Sequence, residues 1–445
     1  MSKGTRINLC IMMFLEFFIW GAWSVPMGVY LGAIGFKASA IASAYSTVAL
    51  AAIVSPFFVG MIADRFFAAE RVLGVMHILG GIVLFAVSRI VEPGMFFWVL
   101  LLYTLTYTPT LALVNAVAFN QLDNVEKQFP AIRVFGTLGW IVAGLLIGFL
   151  EVNAGGARWN FVEPFLIPVN FAITIAGGEG DWVSASAKSI PMVIAGVAAI
   201  ILGVYSFFLP HTPPKAKGKK ASVREILGLD ALGLLKERSF AIFAISSFLI
   251  CIPLSAYYTF ANPFLVEMGM ANATAKMTLG QMSEFFFMLV MPFFFARLGV
   301  KKMLLVGMLA WLGRYFLFAF GGSDSLMLMY YGGILLHGIC YDFFFVTGQI
   351  YVDNEAPQEV RASAQGFIAM ITYGVGMFVG YFLSGKIVEY FQTPDGQTIE
   401  GYTWPRVWIV MSLMAAVVAV AFAFLFKEKS KPEAAPGKVG PSEMA

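Results

Sequence analysis

Charge is what this sequence has least of. Only 12% of its 445 residues are Asp, Glu, Lys or Arg, about half the share of a soluble domain. The net charge of +3 is small and comes from the loops, which leaves a nucleic-acid partner without support. The three cysteines, Cys10, Cys251 and Cys340, fall within apolar runs; they suggest no disulfide framework, no metal cluster and no redox motif. The patterns GxxxxGK[ST], HExxH, paired CxxC and GxSxG are missing, so neither ATP-driven transport nor the common hydrolases find a foothold. The glycine-rich "GVGMFVG" that begins at Gly374 follows no strand and reads as small-residue helix packing. No cofactor is expected, and an enzyme is not expected.

What fills the chain instead is apolar. Hydrophobic residues make up 59%, with 44 Phe, and the mean hydropathy is +0.80. Runs of apolar residues long enough to cross a ~30 Å hydrocarbon layer recur along the whole length. Only helices or closed barrels satisfy the backbone in lipid, and these runs lack strand alternation. The expected fold is an all-α polytopic membrane protein with twelve helices, at about 7–32, 39–62, 72–91, 95–120, 131–151, 188–209, 240–265, 274–296, 302–320, 326–350, 362–388 and 405–427. The N-terminal run contains Glu16 and lacks a small-x-small cleavage site, so it reads as a retained span. The apolar stretch "FVEPFLIPVNFAITIAGG", residues 161–178, reads as an extramembrane insertion that packs on the protein or grazes the interface, since a thirteenth span would put the basic linker on the wrong side.

The expected organisation is a six-helix half over 1–209, a basic linker over 210–239, a second six-helix half over 240–427 and a disordered polar tail over 428–445. A short amphipathic helix is expected in the linker near Val223–Leu235. Placing both termini in the cytoplasm puts most of the 29 Lys and Arg on that side, as the positive-inside rule requires. Two halves of six spans, a basic linker and small-residue-rich helices describe the major facilitator architecture, in which substrate binds near the midplane between rocking halves. "GMIADRF", after span two, supplies Gly60, Asp64 and Arg65 in the loop pattern of that superfamily, a conformational gate. "ARLGVKK" echoes it in the second half.

Ionisable groups at membrane depth are expensive and mark pathways or relays. The sequence reading counts Glu16, Arg133, Glu284, Arg314, His337 and Asp342 within spans. In span five, Arg133, Thr137 and Trp140 share one helical face; the bland alternative for Arg133 is a flank residue snorkelling to headgroups. In span eight, Gln281 and Glu284 are neighbours at i, i+3. An amide suits a base edge and a carboxylate suits vicinal hydroxyls; the alternative is an interhelical hydrogen bond. In span ten, His337 and Tyr341 share a face and Asp342 follows among aromatics, either as a functional carboxylate or in a buried ion pair with Arg133 or Arg314. His337 alone suits a helix–helix contact better than a proton carrier. In span seven, Ser255, Tyr258 and Asn262 form a polar stripe between Pro253 and Pro263. Glu16 is either a proton site or the partner of an unidentified Arg.

At these residues the chain resembles the nucleoside:proton symporter family, the bacterial nucleoside permeases of the major facilitator superfamily. The resemblance is carried by "TPTLALVNAV", "FPAIRVFGTLGW", "ILGLDALGLLKERSFAIF", "QMSEFFFMLVMPFF", "YDFFFVTG" and "RASAQGFIAM". It implies proton-coupled nucleoside uptake across the bacterial inner membrane, with Arg133, Thr137, Trp140, Gln281, Glu284, Tyr341 and Asp342 at the substrate site. The chain departs from the family at Ser255, Tyr258, His337 and Glu16, which bears on base preference and on the coupling residue. Asp342, then Glu284 and Glu16, are the expected proton carriers. The expected partners are nucleoside, protons and membrane lipid, and the expected state is a monomer. The competing readings are a transporter of another polar substrate, such as a sugar or nucleobase, and a non-transporting sensor on the same fold.

Overall fold

The computed structural model describes residues 2–58, 66–164, 167, 169–214, 229–392 and 403–428. The gate residues Gly60, Asp64 and Arg65, residues 215–228 of the linker and the tail after 428 lie outside the described residues. Of the expected linker helix, the part from Leu229 onward is a 3₁₀ turn, Leu229–Lys236.

Ten helical stretches are long and apolar enough to cross a membrane. One of them, Ala273–Phe320, is too long for a single crossing. Gly299 interrupts it with φ 68° and ψ 178°, a conformation that favours glycine. Contacts with span ten show that the chain reverses there. Phe287 and then Phe294 meet Phe343, while Gly280 meets His337, so span eight runs parallel to span ten. Gly307 meets Phe344 and Phe318 meets Gly333, so span nine runs antiparallel. With the shorter apolar helix Ile190–Ser206, the described chain has twelve spans in the expected order.

Local chemistry sets several boundaries. Span four is two pieces, Pro93–Tyr107 and Thr110–Gln121, separated at Pro109. Span five begins earlier than expected, at Val125. Asn124 caps it by accepting the Lys127 N–H at 3.0 Å, and Gln128 accepts the Asn124 N–H at 3.2 Å, satisfying two otherwise orphaned donors. Spans ten and eleven each contain a π-helical stretch, Asp342–Val346 and Met370–Gly376, an irregularity frequent at functional sites.

The insertion after span five corrects the helix-only expectation. Strands β1 (Leu150–Ala154), β2 (Gly156–Val162), β3 (Asn170–Ala176) and β4 (Glu179–Ser184) form an antiparallel sheet of order β3-β2-β1-β4.

The first and last six spans meet at the end of the molecule that carries this sheet. Gly28 in span one lies against span seven, where a Cβ would sit 2.7 Å from the Thr259 carbonyl and 2.9 Å from Pro263. Pro263 has no N–H to offer that carbonyl. Asn262 donates to Val25 O and to Thr274 Oγ1, each at 2.9 Å. Gly148 at the end of span five touches Ala275, and Asn272 donates to Gly148 O at 3.2 Å. Gly385 in span eleven packs on Ala42 and Ser39 in span two.

Candidate functional site

Span five carries Arg133 into the gap between the halves. Because the helix starts at Val125, Arg133 stands eight residues in, about 12 Å along the axis. Its guanidinium lies 4.0 Å over the Phe17 ring of span one rather than reaching for headgroups. Across the gap, Glu284 and Tyr341 are within electrostatic reach of that guanidinium. Trp140, two turns further on, meets Trp20 edge-on with centroids 5.4 Å apart. Gly21 lets the two helices close to this distance, since a Cβ there would meet Trp140 at 3.2 Å. Thr137 is half-buried on the same helix.

Spans eight and ten build the opposite wall. Gly338 permits near backbone contact, because a Cβ there would sit 2.6 Å from Ser283 and Glu284 backbone atoms. The Ser283 hydroxyl donates to Leu335 O and accepts the Gly338 N–H. This clamp sets Glu284 beside His337, with Oε2 to Nε2 at 3.7 Å. The His337 ring stacks on Tyr257 at 5.5 Å and meets Tyr258 edge-on at 6.5 Å. The Tyr341 hydroxyl reaches that of Tyr373 in span eleven at 3.1 Å. Gln281 is half-buried one turn before Glu284.

Several expectations divide at this point. The span-seven stripe does not act as one unit. Tyr258 faces His337, but Ser255 is fully buried and donates to Ile252 O, with Ser384 Oγ at 3.4 Å. Asn262 belongs to the contact between halves. Asp342 forms an ion pair with neither Arg133 nor Arg314: both its carboxylate oxygens are buried without a protein hydrogen-bond partner. Arg314, likewise buried, lies 4.1 Å over the Tyr257 ring. Glu16 has a partner, but it is a histidine rather than an arginine. Its Oε2 lies 2.8 Å from His77 Nε2 and its Oε1 accepts from Thr110 Oγ1 at 2.7 Å. Tyr107 donates to the Glu16 backbone carbonyl at 2.7 Å, and its ring packs on Trp20.

His77, Phe17, Trp20, Ser283, Gly338 and Tyr373 were not among the residues expected at the site. His77 was detectable as an ionisable residue in span three. The others carry no signal without the helix pairing. Among the described residues no cluster of His, Cys, Asp and Glu could hold a metal ion.

The profile of the "Nucleoside H+ symporter" family matches residues 3–177 and 169–431. The putative nucleoside transporter YegT of Escherichia coli (strain K12) is 43% identical over 430 residues, 95% of this chain and 94% of that protein. The xanthosine permease of the same strain is 32% identical, with 97% and 98% covered. The crystal structure of the nucleoside transporter NupG superposes with a TM-score of 0.80 at 29% identity, covering 96% of this chain and all of that one. The fold is therefore that of a major facilitator transporter, and the chain belongs to the nucleoside H+ symporter family.

Proposed function

We infer that the protein takes up nucleosides together with protons, by alternating exposure of a site between its two six-span halves. The observation that carries this reading is that Arg133 of the first half faces Glu284 and Tyr341 of the second within electrostatic reach, in a chain of the nucleoside H+ symporter family. Glu284, beside His337, accepts the ribose hydroxyls. Gln281 and Arg133 address the base edge, Thr137 and Tyr258 add hydroxyls, and Trp140 or Tyr341 offers a ring to the base face. Xanthosine is the cargo named for one relative; the base preferred here depends on Tyr258 and His337.

The protein is a multi-pass protein of the bacterial inner membrane, acting as a monomer with both termini in the cytoplasm. The sheet then faces outward. The halves are closed at that end by the contacts of Gly28, Asn262 and Gly148. Gly60, Asp64 and Arg65 belong to the gate on the cytoplasmic side, and 1–209, 210–239, 240–427 and 428–445 divide the chain into half, linker, half and tail.

Coupling follows from the cost of unpaired charge. A carboxylate without partners inside the membrane costs several kcal/mol. Protonation removes that cost, so the carboxyl of Asp342, enclosed here without a protein partner, ties proton binding to the arrangement of the halves. Glu284 and Glu16 are the second and third carriers. Labelled nucleoside uptake into proteoliposomes, with and without an uncoupler, tests the reading. Accumulation that collapses with the proton gradient is expected; accumulation indifferent to the gradient contradicts symport. Asp342→Asn is expected to retain nucleoside counterflow but lose uncoupler-sensitive accumulation, and full concentrative uptake by this variant would remove Asp342 from the coupling role.

A further inference from the structure

The sheet between spans five and six takes no part in the substrate site, yet its two faces are chemically distinct. Cross-strand pairing places Val152, Val183, Trp159, Phe161, Phe171 and Ile173 on one face. The other face carries a self-contained polar group. Arg158 and Asn160 both donate to Glu151 at 2.9 Å, and the Arg158 guanidinium lies 4.5 Å over Trp182.

The apolar face is turned toward the membrane spans. The Phe161 ring lies 4.6 Å from Phe149 at the end of span five. Val152 and Val183, with Asp181, line a cleft whose other wall is Tyr30 and Ile34 of span one and Lys188 and Ile190 at the start of span six. The cover ends before the outer strand. Phe171 and Ile173 sit on this same face and remain 48% and 51% exposed, and every residue of β3 is exposed. An apolar outer strand of this kind is an aggregation hazard in water.

We propose that the apolar face of β3 rests in the interfacial layer of the bilayer leaflet beside the spans, so that the sheet is a lipid-contacting ledge rather than a free extramembrane cap. Lipid is the occupant because the face is continuous with the span ends: the chain leaves the membrane at Gly148 and returns at Ile190, and the face looks down onto those same spans. Phe and Ile side chains at that depth gain from leaving water, while the polar face stays hydrated. The pleat makes the claim specific residue by residue, since neighbours on β3 point to opposite faces.

The test is a nitroxide scan of the full-length protein in phosphatidylethanolamine–phosphatidylglycerol liposomes, with Phe171→Cys, Ala172→Cys, Ile173→Cys and Thr174→Cys labelled one at a time. The native cysteines are buried, so the exposed thiols label selectively, and retained nucleoside uptake verifies each variant's fold. Labels at 171 and 173 are expected to collide preferentially with membrane-soluble oxygen and at least several-fold less with a water-soluble nickel chelate than labels at 172 and 174. Chelate access at all four positions, or labels at 171 and 173 shielded from both reagents as they would be beneath another protein or a second copy, would overturn the proposal.

Discussion

Glu284 and His337 face each other at 3.7 Å, too far for a strong hydrogen bond and close enough for a ribose hydroxyl to engage both. The clamp between Ser283 and Gly338 fixes the turn that carries Gln281 and Glu284 against span ten. Glu284→Gln keeps the shape but weakens acceptance from hydroxyls. Nucleoside affinity, read by calorimetry or competition in membranes, is expected to fall about tenfold or more, which is ~1.4 kcal/mol; an unchanged affinity would place the ribose elsewhere. The Glu16–His77 pair makes a different prediction. Both groups are almost fully buried, so removing one leaves the other's polar atoms stranded. His77→Ala is expected to destabilise the protein by about 3–5 kcal/mol if the pair is ionic and about 1–3 kcal/mol if it is a neutral hydrogen bond. The double change His77→Ala with Glu16→Gln should recover part of the loss, and additive losses in thermal unfolding would show that the two groups do not act as a pair.

Glycines decide how closely the helices approach, and Gly28 is the most consequential for transport. A side chain there would drive into the Thr259 carbonyl and Pro263, at the junction that holds the halves together on the sheet side. Gly28→Val is therefore expected to disfavour the arrangement seen here and shift the population toward the opposite one. Spin–spin distances between spans one and seven on the sheet side should lengthen, and unaltered distances would show that this junction does not hold the halves. Elements of this kind were unevenly legible in the sequence. The twelve spans follow from apolar run length, because lipid demands it whatever the partners. The sheet did not, because β3 alternates Phe171 and Ile173 with Ala172 and Thr174, too weak a contrast to separate two faces from a continuous apolar run. Arg133 was placed near a helix end because the capping by Asn124 and Gln128 extends span five backward over polar residues that hydropathy alone assigns to a loop. His77 was legible as an ionisable residue in span three, but its bond to Glu16, 61 residues away, was not, because only the folded arrangement of the first half brings the two side chains together. Ser255 and Asn262 were grouped by helical spacing, which reports a shared side but not which neighbour each height along the helix meets.

For the molecule as a whole, the two halves share the site and meet at the sheet end and, further along, where Ile53 of span two packs on Gly374 of span eleven. Arg133, Trp140 and Trp20 come from the first half, and Glu284, Tyr258, His337 and Tyr341 from the second, so rocking the halves changes the distance between Arg133 and Glu284. On the proposed reading a nucleoside that bridges them joins the two walls, while a proton neutralises the enclosed, unpartnered carboxyl of Asp342. The two fluxes are then bound to one conformational step. The direct measurement is proton movement driven by nucleoside alone. With the protein in liposomes holding a pH-sensitive dye, no imposed pH gradient and a potassium–valinomycin clamp, an inward nucleoside gradient is expected to acidify the lumen at a rate that tracks nucleoside entry, and Asp342→Asn is expected to abolish the acidification. Nucleoside entering at the full rate with no change in lumenal pH would contradict the account.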